Sequence, residues 1–431
     1  MAVRFTQEQQ RVIDVRDCNV LVSAAAGSGK TAVLVERILR LISDAENCVD
    51  IDRLLVVTFT NAAAAEMRER IHGAILKKLE EDPDNAGLQR QAVLVHHAQI
   101  TTIDSFCRFI LSNHFQEIDL DPGFVVGDPG KMRLMEKEAM NRIMEAAYEG
   151  KEPYDGFHED FVNLADVFSR KGRDTAVEEM VDKLYHFVMS LPFPEKWLYQ
   201  ALQDYEIQET EEFSHNPMIE EIVTIVSQKL QRMVRLYGEM IGICKQADGP
   251  EGYLSAFEKE CEQIQNAARA ENYELLKERV AGIGFDRLPA IRKGQCDEDK
   301  KEQVKQLRER IRKRIAACRE TYFFDTLEAI GEDMQKTGRL LKPLVYLTLQ
   351  FMEQFAADKA KENVIDFSDM EHFALKILVD EEGNPTDTAK WYQDYYAQVM
   401  IDEYQDSNEV QEVLLSSVSR EHGEAPDRFM V

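Results

Sequence analysis

The stretch LVSAAAGSGKTAVLVERI, residues 21–38, sets the architecture of the chain. A short apolar run leads into a glycine-spaced turn, and apolar residues at helical spacing follow, so the order is strand, loop, helix. Gly27 and Gly29 let the backbone bend so that successive N–H groups face a β-phosphate, aided by the N-terminus of the helix that follows. Lys30 neutralises the β- and γ-phosphates of a bound nucleotide, and the Thr31 hydroxyl is a ligand for Mg²⁺. Ala24 stands where G-x-x-x-x-G-K-[ST] begins with glycine, but that position only closes the turn and a small residue serves there. Ser23, Ala24, Ala25, Ala26, Gly27, Ser28, Gly29, Lys30 and Thr31 are therefore the expected ATP-binding loop. The competing reading is a flexible Gly-Ser turn at a helix cap. G-S-G-K-T set between strand and helix disfavours it.

Outward from this loop the same alternation continues. NVLVSA (19–24), LLVVTF (54–59) and QITTI (99–103) are short, unalternated apolar runs, as expected of strands covered on both faces. Helical patterns follow each; in NAAAAEMRERIHGAIL, Met67, Ile71, Ala74 and Ile75 fall on one face. Such alternation predicts an α/β fold, a parallel sheet with helices on both faces. Beyond it, long charged helical patterns dominate, with breaks expected at FPEKWL (193–198) and KQADGPEGY (245–253). The expected organisation is a first α/β part over 1–125, a large all-helical insertion over 126–360, and a return to the sheet over 361–431. An apolar run starts at Phe429 and stops at Val431, so the sequence reads as a piece of a longer protein.

The bulk numbers narrow the function classes. The 431 residues carry a net charge of −27, which argues against a general basic grip on nucleic acid. Residues 1–120 hold 13 basic and 17 acidic side chains, a balance of −4; the remaining 39 and 62 give −23. Any DNA contact is therefore expected to be local, made by backbone amides, hydroxyls and stacking. No run is apolar enough for a membrane span, and the N-terminus has no secretory pattern. Seven cysteines without a C-x-x-C pair favour neither zinc nor a disulfide framework, and point to a reducing, cytoplasmic setting.

A phosphate loop needs a second carboxylate to hold magnesium and orient water. VMIDEYQD (399–406) supplies an adjacent acid pair at the exit of an apolar strand. Asp402 is the expected Mg²⁺ ligand and Glu403 the expected general base for the attacking water. Gln405 is placed to sense the γ-phosphate.

FTQEQQRVI, AAAGSGKTAVL, VVTFTNAAAAEMRERI, ITTIDSFCRFIL, VIDFSDM and VMIDEYQDSN occur in this order, and together they resemble the successive motifs of superfamily 1 DNA helicases of the UvrD and RecB type. LYHFVMSLPFPEKWL (184–198) resembles, more narrowly, the helical insert of the AddA group of bacterial helicase–nuclease complexes. The resemblance covers Phe5 to Val431 and implies a RecA-like P-loop NTPase domain, ATP and Mg²⁺ as cofactors, and 3′→5′ translocation in double-strand-break repair. It implies single-stranded DNA and duplex ends as partners, a second chain of the AddB type and an exonuclease elsewhere in the longer protein; the 431 residues alone are expected to be near-inactive. Residue by residue, Gln9 matches the glutamine that reads the adenine edge. Phe59, Thr60 and Asn61 match the first single-strand contact, and Thr102, Asp104, Ser105 and Phe106 the next. Asp366, Phe367 and Asp369 match a signature of structural character. Two alternatives stay open: a nucleotide-gated DNA-binding module without motor activity, and a plain UvrD-like helicase lacking a nuclease. The nine basic residues of Lys300–Arg319 are read as a solvated helix face rather than a DNA track. His96, His97, Trp197 and Trp391 receive no functional assignment.

Overall fold

The computed structural model describes residues 5–25, 27–44, 47–168, 175–205, 213–292, 294–421, 423 and 425–431. Two compact units divide the chain: Met1–Gly156, Phe168–Trp197 and Tyr346–Val431 form the first, Phe157–Val167 and Leu198–Val345 the second.

In chain order the first unit contains α1 (Gln7–Asp14), β1 (Val20–Leu21), α2 (Lys30–Ile42), β2 (Leu54–Thr58), α3 (Asn61–Glu81), α4 (Ala86–Leu94), β3 (Gln99–Thr102), α5 (Ile103–His114), β4 (Val125–Val126) and α6 (Pro129–Glu149). Later segments add β5 (Val364–Ile365), β6 (Gln398–Ile401) and β7 (Arg428–Met430). Five strands form one parallel sheet in the order β1-β7-β6-β2-β3, while β4 and β5 pair separately. The register sets Val56 beside Met400 and Ile100, and Met400 beside Phe429.

Alternation along the strands explains why these runs carry no polar face. Leu54, Val56, Met400 and Phe429 point into one core with Leu34, Ile38, Met67, Ile71 and Ile75. Leu55, Val57, Val399, Ile401 and Met430 point into the other, with Phe106, Ile110, Leu375 and Leu414. Both faces of the central strands β2 and β6 are covered by helices, so their positions meet apolar atoms and the sequence shows continuous Val, Ile and Leu, while at the edge Leu21 of β1 is exposed. The α/β class with a parallel sheet is therefore as the sequence indicates. β1 is shorter than the expected 19–24: only Val20 and Leu21 pair as a strand, and Val22 donates one more bond to the Met430 carbonyl (2.8 Å), because the chain must then turn into the glycine loop. FPEKWL is not wholly a break. Pro194 opens the helix Pro194–Gln203, a position where its missing N–H costs nothing.

The second unit is helical, with Leu230, Tyr237, Phe257, Ile311 and Ile315 in its core. Its basic helix Glu298–Tyr322 spends two arginines internally. Arg308 forks onto the buried Glu260, which also accepts from the Tyr237 hydroxyl (2.7 Å). Arg319 caps the end of helix Tyr273–Gly282 through the carbonyls of Val280 (2.8 Å) and Ile283 (2.7 Å). Among the described residues no helix is long and apolar enough to cross a membrane.

Candidate functional site

Because the five strands are parallel, their C-terminal ends share one edge of the sheet, the edge where α/β sheets bind ligands. Four of the motif groups read from the sequence leave from that edge. Residues 23–31 follow β1, Phe59–Asn61 follow β2, Thr102–Phe106 close β3, and Asp402–Gln405 follow β6. The strand order puts β1 and β6 on one side and β2 and β3 on the other, which separates the nucleotide residues from the expected DNA residues.

In the glycine loop, Gly27 (φ +77°) and Gly29 (φ +86°) occupy the left-handed region that a side chain would strain. Gly29 caps α2 without any side-chain hydrogen bond, and the first helical bond runs from Val33 N to Gly29 O (3.0 Å). The N–H groups of Lys30, Thr31 and Ala32 therefore precede that bond, and with the helix dipole they form an anion-binding end. Ser23, Ala24, Ala25, Gly27 and Ser28 are exposed, while Lys30 and Thr31 are half-buried. Ala26 lies outside the described residues.

Across the sheet, the turn after β6 is pinned from two sides. Asp402 N donates to Val57 O (2.9 Å) in β2, and Tyr404 N donates to Val431 O (2.9 Å) beyond β7. Glu403 at the centre of the turn has φ +59°, a left-handed conformation costing a non-glycine residue of the order of 1 kcal/mol. That turn brings the Glu403 carboxylate to 3.9 Å from Lys30 Nζ, although the two residues are remote in the chain. Gln405 donates its side-chain amide to the same carboxylate. Burial, and then the charge of neighbouring Glu403, push the Asp402 carboxyl up from the usual range, with Lys30 pulling the other way. A divalent cation beside Asp402 would reverse that balance, so the acid pair, Thr31 and the anion-binding helix end fit Mg-ATP chemically.

Gln9 touches this loop. Its amide nitrogen donates to Ser28 O (3.0 Å), while its carbonyl oxygen accepts from Thr6 N (2.9 Å) in a capping box that starts α1. The side chain expected to read an adenine is thus already seated against the phosphate loop.

The expected DNA residues separate into two kinds. Phe59 is 55% exposed, with its ring free for stacking. Thr60 caps α3 by accepting from Ala63 N (3.1 Å), and Asn61 is the first residue of that helix. Thr102 caps α5, accepting from Ser105 N (3.2 Å), so the cap is neither the Asp nor the Ser of that motif. Ser105 is exposed, and burial raises the Asp104 carboxyl. Phe106 must be corrected: it is fully buried against Phe109, Tyr392 and Tyr396, so it offers no face to a base and serves the core. Asp366 and Asp369 form a capping box at the helix Phe367–Leu378 and both bind the buried Lys359. Phe367 is exposed.

Sequence reading missed Arg37. It is fully buried in α2, donating to Gln398 Oε1 (2.9 Å) and Val12 O (2.7 Å) beneath the Phe429 ring (4.6 Å). Burial lowers its pKa to about 10. The signal was present: Arg37 occupies the apolar stripe Leu34, Ile38, Leu41, where a charge needs internal partners.

A family model described as the UvrD/REP helicase N-terminal domain matches residues 5–431. The chain is 41% identical, over 435 aligned residues, to the A-type subunit of the ATP-dependent helicase/nuclease of Lachnoclostridium phytofermentans, an alignment covering 99% of this chain and 31% of that protein. It is 39% identical to the proteins of the same name from Clostridium botulinum (99% and 34% covered) and Thermoanaerobacter sp. (100% and 35%). The chain therefore spans about a third of the length of the curated relatives it matches.

Proposed function

Since the chain belongs to the UvrD/REP helicase family, we propose that it is the ATP-binding motor portion of an AddA-type helicase–nuclease that works on DNA ends in recombinational repair, with 3′→5′ polarity and an AddB-type partner. The observation that carries this reading is the 3.9 Å approach of Lys30 and Glu403 at the C-terminal edge of the sheet. In this proposal Gly27, Gly29 and the first N–H groups of α2 bind the phosphates, and Lys30 exchanges its ion pair with Glu403 for the β- and γ-phosphates. Thr31 and Asp402 hold Mg²⁺, which when bound neutralises phosphate charge. Lys30's departure leaves Glu403 free to accept the proton of the attacking water, and Gln405, bonded to Glu403, orients that water. Phe59, Thr60, Asn61, Asp104 and Ser105 form the single-strand track, with stacking at Phe59 and hydroxyl and amide contacts at the helix starts, while Thr102, buried and with its hydroxyl bonded to Ser105, holds that helix start in place. The site of action is the cytoplasm.

Lys30→Ala and Glu403→Gln separate the parts of this reading. With a fluorescent ATP analogue and Mg²⁺, Lys30→Ala is expected to bind about 10–100-fold more weakly, the loss of one or two charge-assisted hydrogen bonds. Glu403→Gln is expected to retain binding, yet to abolish ATP-driven unwinding when placed in the longer protein. Unwinding that survives Glu403→Gln would remove the motor reading and leave a nucleotide-gated DNA-binding module.

A further inference from the structure

The opposite edge of the same sheet carries a cavity that none of the residues assigned to nucleotide or DNA lines. Asp52 lies two residues before β2, Gln99 opens β3 and Tyr396 lies two residues before β6, so these N-terminal strand ends lie away from the phosphate loop by the length of the strands, roughly 17 Å for β2 at ~3.3 Å per residue. The cavity holds about 740 Å³.

Its walls combine two chemistries. Trp391, on the helix Asp387–Tyr395, is 56% exposed and stacked parallel on Tyr395, with ring centroids 5.2 Å apart. A large indole left open in this way is a ready surface for a flat group. Asp52 and Asp387 supply carboxylates, and no described lining residue is Lys or Arg, although Asp387 also pairs with Lys390 (3.1 Å) at the exposed rim. Asp52 Oδ1 is buried and has no hydrogen-bond partner. Such an acceptor is costly unless a donor reaches it. The neighbouring cation does not fill the need, because Arg53 turns its guanidinium to the carbonyls of Asp394 (2.6 Å) and Tyr395 (2.8 Å). His114 is also engaged, between Glu117 (2.8 Å) and the Tyr392 hydroxyl (3.0 Å).

An aromatic face, two carboxylates and an unmatched acceptor select a planar cation with several donors. A phosphate backbone would be repelled, and an apolar ligand would leave Asp52 unmatched. Guanidinium suits better than ammonium because it stacks on indole while its fork reaches a carboxylate. We propose that this cavity is a docking site for an arginine side chain presented by another polypeptide, the guanidinium lying on Trp391 and donating to Asp52. The charge complementarity is general as well as local, since a chain of net charge −27 attracts basic segments.

Trp391 is itself the reporter. The protein has two tryptophans, so Trp197→Phe leaves Trp391 as the sole indole. Titrating that variant with acetyl-arginine amide is expected to give a saturable change in indole emission. The lysine counterpart should bind about threefold more weakly, and the neutral citrulline counterpart should give no saturable change. Asp52→Asn should weaken arginine binding about fivefold or more, and Asp387→Asn, whose carboxylate is solvent-exposed and shared with Lys390 (3.1 Å), about twofold. An equal response to citrulline, no saturable response to arginine, or full affinity in both Asp variants would overturn the proposal. So would saturation by an oligothymidylate, which would make the cavity a nucleic-acid site.

Discussion

Lys359→Met tests whether the Asp366–Phe367–Asp369 signature holds the fold rather than doing chemistry. Lys359 sits in the last turn of the helix Leu327–Lys361, 4% exposed, with Nζ 2.7 Å from Asp366 Oδ2 and 2.7 Å from Asp369 Oδ2. The ammonium also lies 4.2 Å from the Phe355 ring centroid. One cation thus compensates two carboxylates, and through them fixes the start of the helix Phe367–Leu378 that packs on α5. Methionine keeps the stem volume and removes only the charge. Removing one member of a buried ionic group costs about 3–5 kcal/mol, because the remaining charges are left unpaired in a poorly solvated site. At ~2–4 °C per kcal/mol for a unit of this size, the unfolding temperature should fall by roughly 6–20 °C. Burial already raises the Asp369 carboxyl despite the opposing pull of Lys359, and without the lysine it rises further. A carboxyl with a raised folded pKa loses stability as pH rises through that value, so the deficit should be largest near neutrality and shrink on acidification. The measurement is thermal unfolding at several pH values, with nucleotide affinity measured in parallel and expected to stay unchanged below the transition. Adding Asp366→Asn and Asp369→Asn removes the stranded charges and keeps a capping side chain, so it should recover more than half of the loss. If Lys359→Met unfolds within about 1 kcal/mol of the parent, or the triple variant is no more stable than the single one, the buried-charge reasoning is wrong.

Two further outcomes follow from the site. Phe59→Ala should lower single-strand affinity by about 1–3 kcal/mol with unchanged stability, whereas Phe106→Ala should cost about 3–5 kcal/mol of stability; fluorescence anisotropy and calorimetry distinguish them, and equal stability losses would contradict the assignment. Asp402→Asn removes a carboxyl that burial and Glu403 penalise when ionised, so the unfolding temperature without nucleotide should rise by roughly 1–3 °C at pH 7, with the gain vanishing below the ordinary aspartate range near ~3.9. A drop in stability at pH 7 would show that Asp402 is held by partners rather than penalised.

The features legible in the residue order are local ones. Period-2 and period-3.6 patterns reveal strands and helices because neighbouring side chains share a face, and G-S-G-K-T reveals its loop because backbone torsions are a near-neighbour property. The apolar strands of the sheet, the core face of α3 and the placement of Asp402 at a strand exit were all readable on those terms. The rest came from long-range packing. Parallel pairing of β7 with β1 on one side and with β6 on the other is what brings Glu403 to Lys30, and no local pattern encodes a pairing over such a separation. Burial likewise turned Phe106 from a candidate base contact into core, and drew Arg37 and Lys359 inside, because a charge or ring finds its partners only when distant segments meet. The aromatic, acidic cavity at the far edge belongs to the same class: Asp52 and Trp391 lie on separate segments, and only the packed sheet makes them one surface.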